Sequence, residues 1–201
     1  MTQPDESRGS EPAPAAIAAG AAVMDRVGVW WGIAGGWAID LWLGEQTREH
    51  HDVEVVVRRC DQGVIHAALS ADWELFALDP PGSGWKPWNG TPIDAGAFQL
   101  QARSSVGEFD LFTETVDDDQ WYFRCDGRIT TPADGVVMLS AVGIPIVRPE
   151  LQLLYMARST EPKNERDFQA TRPHLTADAA AWLADALRIT LPGHHWLRQL
   201  G

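Results

Sequence analysis

The stretch from Ile33 to Arg58 constrains this chain more than any other, because it joins a glycine pair, a short helical pattern and two carboxylates spaced two apart in a β-branched run. Gly35 and Gly36 follow an apolar run and precede the helical pattern. The backbone can therefore turn sharply there and present amides at a helix start, where an anionic group is favoured. Fifteen residues lie between Gly36 and Asp52. Asp52-Val-Glu54-Val-Val-Val then reads as part of a strand from His51 to Arg58, and positions i and i+2 of a strand share a face. Two carboxylates held there repel each other unless a cation sits between them, and hard oxygen donors suit Mg²⁺. A phosphate cradle beside paired carboxylates points to nucleotide chemistry.

The segments around this stretch predict a mixed architecture. Ala15 to Val27 is an Ala-rich helix closed by Gly28, Val29 to Ala34 a strand, and Trp37 to Leu43 a helix stopped by Gly44. Asp61 is placed to cap a helix reaching Ala71, and Trp73 to Leu78 is a strand. Phe98–Arg103, Glu108–Glu114, Trp121–Arg124 and Arg128–Thr130 are short strands of an antiparallel meander, with Asp117-Asp118-Asp119 a solvated turn. From Pro149 the pattern becomes helical, continuing over Lys163–Gln169 and a Thr176-capped helix that ends at Pro192-Gly193. The fold class expected is α+β, a mixed sheet flanked by helices with a C-terminal helical part. The divisions are a disordered leader over 1–14, an α/β domain over 15–148 and a helical subdomain over 149–201.

Charge narrows the partners. With 28 acidic residues against 16 Lys and Arg, the formal net charge is −12, which disfavours a sequence-independent grip on nucleic acid and suits a cationic small molecule. Cys60 and Cys125 form no metal or disulfide pattern, the opening residues are not those of a secretory signal, and the Ala-rich run is too short to span a membrane. A reducing cytoplasm is the expected compartment.

Nucleotidyl transfer calls for a third carboxylate near the pair to complete the site and deprotonate the nucleophile. Asp110, alone among apolar neighbours in the 108–114 strand, is the candidate, against the alternative of pairing with an arginine across the sheet. Arg48 offers a planar fork for polyphosphate. His50 and His51 at the strand entrance are expected to serve mainly as hydrogen-bonding groups, and Asp40 as a solvated helix-surface carboxylate. Lys163, Arg166 and Asp167 read from spacing alone as an exposed i,i+4 ion pair. Trp85 and Trp88, in a loop without periodicity, offer a flat surface for a base or sugar.

The run Gly35-Gly36-Trp37-Ala38-Ile39-Asp40, Gly44, Thr47-Arg48-x-His50-x-Asp52-Val53-Glu54 resembles the opening of aminoglycoside adenylyltransferases and lincosamide nucleotidyltransferases, members of the polymerase-beta-like nucleotidyltransferase superfamily. Looser similarity continues through Trp121–Arg124, Gly143-Ile144-Pro145, Pro149–Tyr155 and Pro192–Leu197. The resemblance implies transfer of AMP from ATP to a hydroxyl of a small molecule. Gly35, Gly36, Arg48 and Lys163 would contact the nucleotide, Asp52 and Glu54 with Asp110 would bind Mg²⁺, and Asp110 would act as the base. Two departures stand out. The second metal position is usually Asp in the drug-modifying relatives and is Glu54 here; Met156 and Asn164 replace Lys and Asp. These substitutions motivate an alternative: a nucleotide-binding protein of the same fold without turnover.

Overall fold

The computed structural model describes residues 14–105 and 107–201; the leader expected over 1–14 lies outside them apart from Pro14. The chain opens with α1 (Ala15–Val27), β1 (Trp31–Ile33), α2 (Gly35–Leu43), β2 (Glu54–Arg58), α3 (Gln62–Leu69) and β3 (Glu74–Ala77). It continues through β4 (Lys86–Pro87), β5 (Gln99–Ser104), β6 (Gly107–Asp117), β7 (Gln120–Tyr122), β8 (Thr130–Pro132), β9 (Val137–Leu139) and β10 (Pro145–Val147). Four helices close it: α4 (Pro149–Met156), α5 (Pro162–Thr171), α6 (Ala177–Thr190) and α7 (Leu197–Leu200). Gly28 and Gly44 end α1 and α2 in the left-handed conformation, at φ 73° and 79°, where a side chain would be strained. The Thr176 hydroxyl accepts from the Ala179 amide at the start of α6.

The fold is α+β. The main sheet runs β4-β3-β5-β6-β2-β1-β10-β9, and β7 and β8 extend the far end of the long strand β6. Only β2–β6 and β1–β10 pair in parallel; the others are antiparallel. The turn from β6 to β7 places Asp118 and Asp119 at φ 46° and 62°, as a tight hairpin of right-handed twist requires, and short polar residues tolerate it. Among the described residues no helix is long and apolar enough to cross a membrane.

The sheet buries both faces, and strand alternation divides the work. Ile33, Val55, Val57, Phe109 and Leu111 point into one core with α1 and α3. Val56 points to the other, where Leu151, Leu154, Leu183 and Leu187 of α4 and α6 pack with Trp121 and Phe123. Glu54 and Asp110, in step with Val56 and Phe112, therefore emerge on the second face, where the C-terminal helices stop short of covering the sheet, while Glu114 on the same face is buried beneath them.

Candidate active site

The geometry starts from the parallel pair of β2 and β6. Their register sets Glu54 directly against Asp110, on strands about 4.8 Å apart, and the Asp110 amide donates to the Val53 carbonyl at 2.9 Å. The strand begins at Glu54 rather than at His51, because its partner β1 has already ended: the Ala34 amide donates to the Glu54 carbonyl as the last contact. Asp52 is therefore an exposed residue at the strand mouth. Asp110 is half-buried and is held by Gln101 of β5, whose amide nitrogen donates to it at 2.7 Å and to Glu108 at 2.9 Å. Arg103 pairs with Glu108 instead, so the cross-sheet arginine considered for Asp110 is not its partner.

Burial pushes the Glu54 carboxyl up to about 7, with Asp52 and then Asp110 adding repulsion that Lys163 and Arg124 only partly offset. Asp110 is raised first by burial, opposed by the Gln101 hydrogen bond, with Asp52 and Glu108 adding to the rise. Three acidic groups thus crowd one end of the sheet with too little positive charge among them, and their oxygen donors are those a hard divalent cation takes. As placed, Glu54 lies back against Gly35, and among the described residues no three His, Cys, Asp or Glu side chains gather tightly enough to hold a metal. Glu54 is a methylene longer than Asp, which lets it fold back in this way.

That contact explains the glycine pair. Gly35 has φ +65°, and a Cβ there would collide with the Glu54 carboxylate; at Gly36 a Cβ would collide with Arg48 and His50. The Gly35 amide donates to the Gln152 side chain of α4 at 2.9 Å, which leaves the amides of Gly36 and Trp37 as first-turn donors of α2. Gly35→Ala combines left-handed strain with displacement of Glu54. It should lower stability by about 1–3 kcal/mol, read as a shift in the denaturant midpoint at unchanged slope.

The residues before the strand form a buried polar lattice. His50 Nε2 lies 2.5 Å from Asp40, whose other oxygen accepts from the Thr47 hydroxyl at 2.6 Å, and the imidazole packs at a tilt against Trp37, ring centres 4.4 Å apart. Asp40 is therefore not a solvated surface group; it is 4% exposed. Arg48 turns the other way, giving Nε and a terminal nitrogen to both oxygens of Asp167 at 2.8 and 2.9 Å. Asp167 is buried on α5, while Lys163 pairs with Glu161 at 3.2 Å. The Lys163–Asp167 ion pair expected from spacing is replaced by one linking residues 119 apart.

These groups surround a cleft of about 330 Å³, lined by Gly35, Gly36, Asp52, Glu54, Gln152, Met156, Asn164 and the cations Arg48, Arg124, Arg158 and Lys163. Asp110 is adjacent, not in its wall. Asn164 donates to the Met156 carbonyl at 3.1 Å, tying α5 to the end of α4. A smaller cleft of about 200 Å³ lies on the other side of Asp52, between Trp37, His50, His51, Trp73 and Glu108. Asp52 is common to both. Trp88 is core, with its indole donating to the Thr91 carbonyl and its edge toward His66, and neither it nor half-buried Trp85 lines either cleft. Sequence reasoning passed over Gln101 and Arg124 and assigned Asp40 to solvent; for Gln101 the signal was a polar residue pointing the same way as Asp110 on a neighbouring strand.

Carboxylates on neighbouring parallel strands beside a glycine turn at a helix start make up this site. Comparison with known proteins finds the following likenesses. The aminoglycoside-2''-adenylyltransferase family matches residues 17–75, the segment that holds the glycine turn, Arg48, Asp52 and Glu54. The crystal structure of ANT(2'')-Ia in complex with adenylyl-2''-tobramycin superposes with TM-score 0.55 at 15% identity over 85% of this chain and 92% of that one. Its solution structure gives TM-score 0.56 at 17% identity over 89% and 95%. Lincomycin-bound LnuA, a lincosamide antibiotic adenylyltransferase, gives 0.52 at 17% over 74% and 89%. No curated protein matches significantly. At these identities the structures establish the fold.

Proposed function

We propose that this protein transfers AMP from ATP, with Mg²⁺, to a hydroxyl of a small antibiotic-like acceptor. The observation that carries this is the register placing Glu54 against Asp110 at the rim of a cleft lined by four cations. The first-turn amides of α2 and Lys163 hold the triphosphate, and Arg48 contributes by fixing α5 through Asp167. Asp52 and Glu54, with Asp110, would hold Mg²⁺ once Glu54 swings away from Gly35, and the ion would neutralise charge on the reacting phosphate oxygens. Asp110, raised above its ordinary value first by burial, takes the acceptor proton. The acceptor oxygen bonds to the α-phosphorus, the bond from that phosphorus to the bridging oxygen breaks, and pyrophosphate leaves into the cationic wall.

The smaller cleft supplies the acceptor side. Its aromatic walls suit a sugar ring, and Asp52 and Glu108 suit an ammonium group, consistent with a cationic acceptor. Solved relatives carry adenylyl-tobramycin and lincomycin, so aminoglycosides and lincosamides form the first panel.

Incubation with labelled ATP, Mg²⁺ and that panel should yield an adenylylated product and pyrophosphate. Chelation should abolish both, and Asp52→Ala should lower the rate about 10²-fold or more. Absence of transfer to every acceptor, with wild type and Asp52→Ala alike, would remove the proposal. Mg²⁺-dependent ATP binding without pyrophosphate release would favour a sensor of the same fold.

A further inference from the structure

Two guanidiniums of the cleft, Arg124 and Arg158, have donors not already committed; Arg158 is exposed, and Arg124 is the one the fold holds in place. Arg124 follows β7, and its guanidinium carbon lies 4.5 Å from the centre of the Phe98 ring, 5.2 Å from Phe112 and 4.4 Å from Tyr155. Behind it Glu114, 1% exposed, accepts from the Trp121 indole and the Tyr155 hydroxyl, each at 2.8 Å and on the same oxygen. The other Glu114 oxygen lies 3.4 Å from one terminal nitrogen of Arg124. Neither of those two atoms makes a hydrogen bond. The buried carboxylate therefore balances the charge from the side of that buried nitrogen, leaving Nε and the other terminal nitrogen without a hydrogen bond among the described residues, and three ring faces fix the plane of the group in the cleft. Arg48 is the opposite case, since its Nε and one terminal nitrogen are taken up by Asp167 and the other terminal nitrogen by the Glu49 carbonyl.

We infer that Arg124 is a phosphate-binding residue of the nucleotide cleft, held in place by the Phe98–Phe112–Tyr155 cage and by Glu114, and that it takes the polyphosphate role the sequence suggested for Arg48. This rests on the nucleotide reading of the cleft. A planar fork with unspent donors recognises a polyphosphate by paired charge-assisted hydrogen bonds, and the aromatic cage removes the rotamer freedom an arginine otherwise loses on binding. Tyr155 acts at one remove, by orienting Glu114.

The test is calorimetric, with Mg²⁺–tripolyphosphate and Mg²⁺–ATP as probes. Arg124→Gln should weaken both by about 10- to 100-fold. Because that change strands the Glu114 charge, the double variant Arg124→Gln/Glu114→Gln keeps the site neutral and should show the same loss with a normal melting curve. Arg124→Lys retains the charge but not the fork, and should lose about tenfold. Arg128→Gln removes an equal charge from an exposed pair with Asp126 and should bind like wild type. Unchanged affinity for both probes in the folded Arg124 variants overturns this assignment while leaving the nucleotide reading intact. Failure of the wild type to bind either probe overturns both, and a loss in Arg128→Gln equal to that in Arg124→Gln would show only a net-charge effect.

Discussion

Asp110→Asn should lower the rate of AMP transfer by about 10²- to 10⁴-fold, the range a positioned general base contributes, while the KM for ATP changes only a few-fold. The substitution conserves size and still offers an oxygen to Gln101 Nε2, which holds Asp110 at 2.7 Å, so the strand register and the cleft should survive. What is lost is a proton acceptor that burial, with Asp52 and Glu108, has raised above the ordinary aspartate range. The same repulsion makes Asp110 a poor resident without a cation nearby, which is why a metal-binding contribution and a base contribution must be separated. A single-turnover experiment does so. Loss of the base slows the chemical step at saturating Mg²⁺, whereas loss of a ligand alone is recovered by raising Mg²⁺. Asp110→Asn turning over at the wild-type rate would remove the base assignment. Gln101→Leu should have a smaller effect, about tenfold, because it frees the Asp110 side chain without removing it.

The way these side chains come together also explains what was legible in the sequence. Helix ends were written locally: Gly28 and Gly44 are obligatory left-handed stops, and Pro149 and Thr176 mark starts through groups within one turn. The glycine turn and the carboxylates were legible for the same reason, as short patterns tied to one strand and one helix. Their physical cause was not, since the glycines are required by Glu54, Arg48 and His50 approaching from elsewhere. Strands β9 and β10 had no signal of their own. They are three residues each, too short for alternation to register, and β10 exists because β1 offers a parallel edge more than a hundred residues away in the chain. Asp40 was expected in solvent because its two partners, Thr47 and His50, sit beyond the end of its helix. Asp167 illustrates the limit most clearly. Spacing suggested Lys163, one turn back, while the true partner lies across the cleft.

That partnership leads to the largest stability effect expected outside the cores. Asp167 is 1% exposed and Arg48 is largely covered, with two parallel hydrogen bonds between them; the Arg48 guanidinium is raised above its usual range first by its hydrogen bond to Asp167, against the cost of burial. Removing one partner strands the other. Asp167→Asn or Arg48→Met should each cost about 3 kcal/mol, or a fall in melting temperature of roughly 6–12 °C for a chain of this size. Replacing both together, as Arg48→Met/Asp167→Leu, should recover most of that loss, because no charge is then left uncompensated. ATP affinity distinguishes the two roles open to Arg48. If its fork is spent on α5, the double variant should be stable and bind Mg²⁺–ATP within about tenfold of wild type, since the phosphate donors lie elsewhere. If the fork instead leaves Asp167 to grip phosphate when nucleotide enters, the double variant should be stable yet lose affinity by more than 10²-fold, and the clamp would be a feature of the nucleotide-free protein alone.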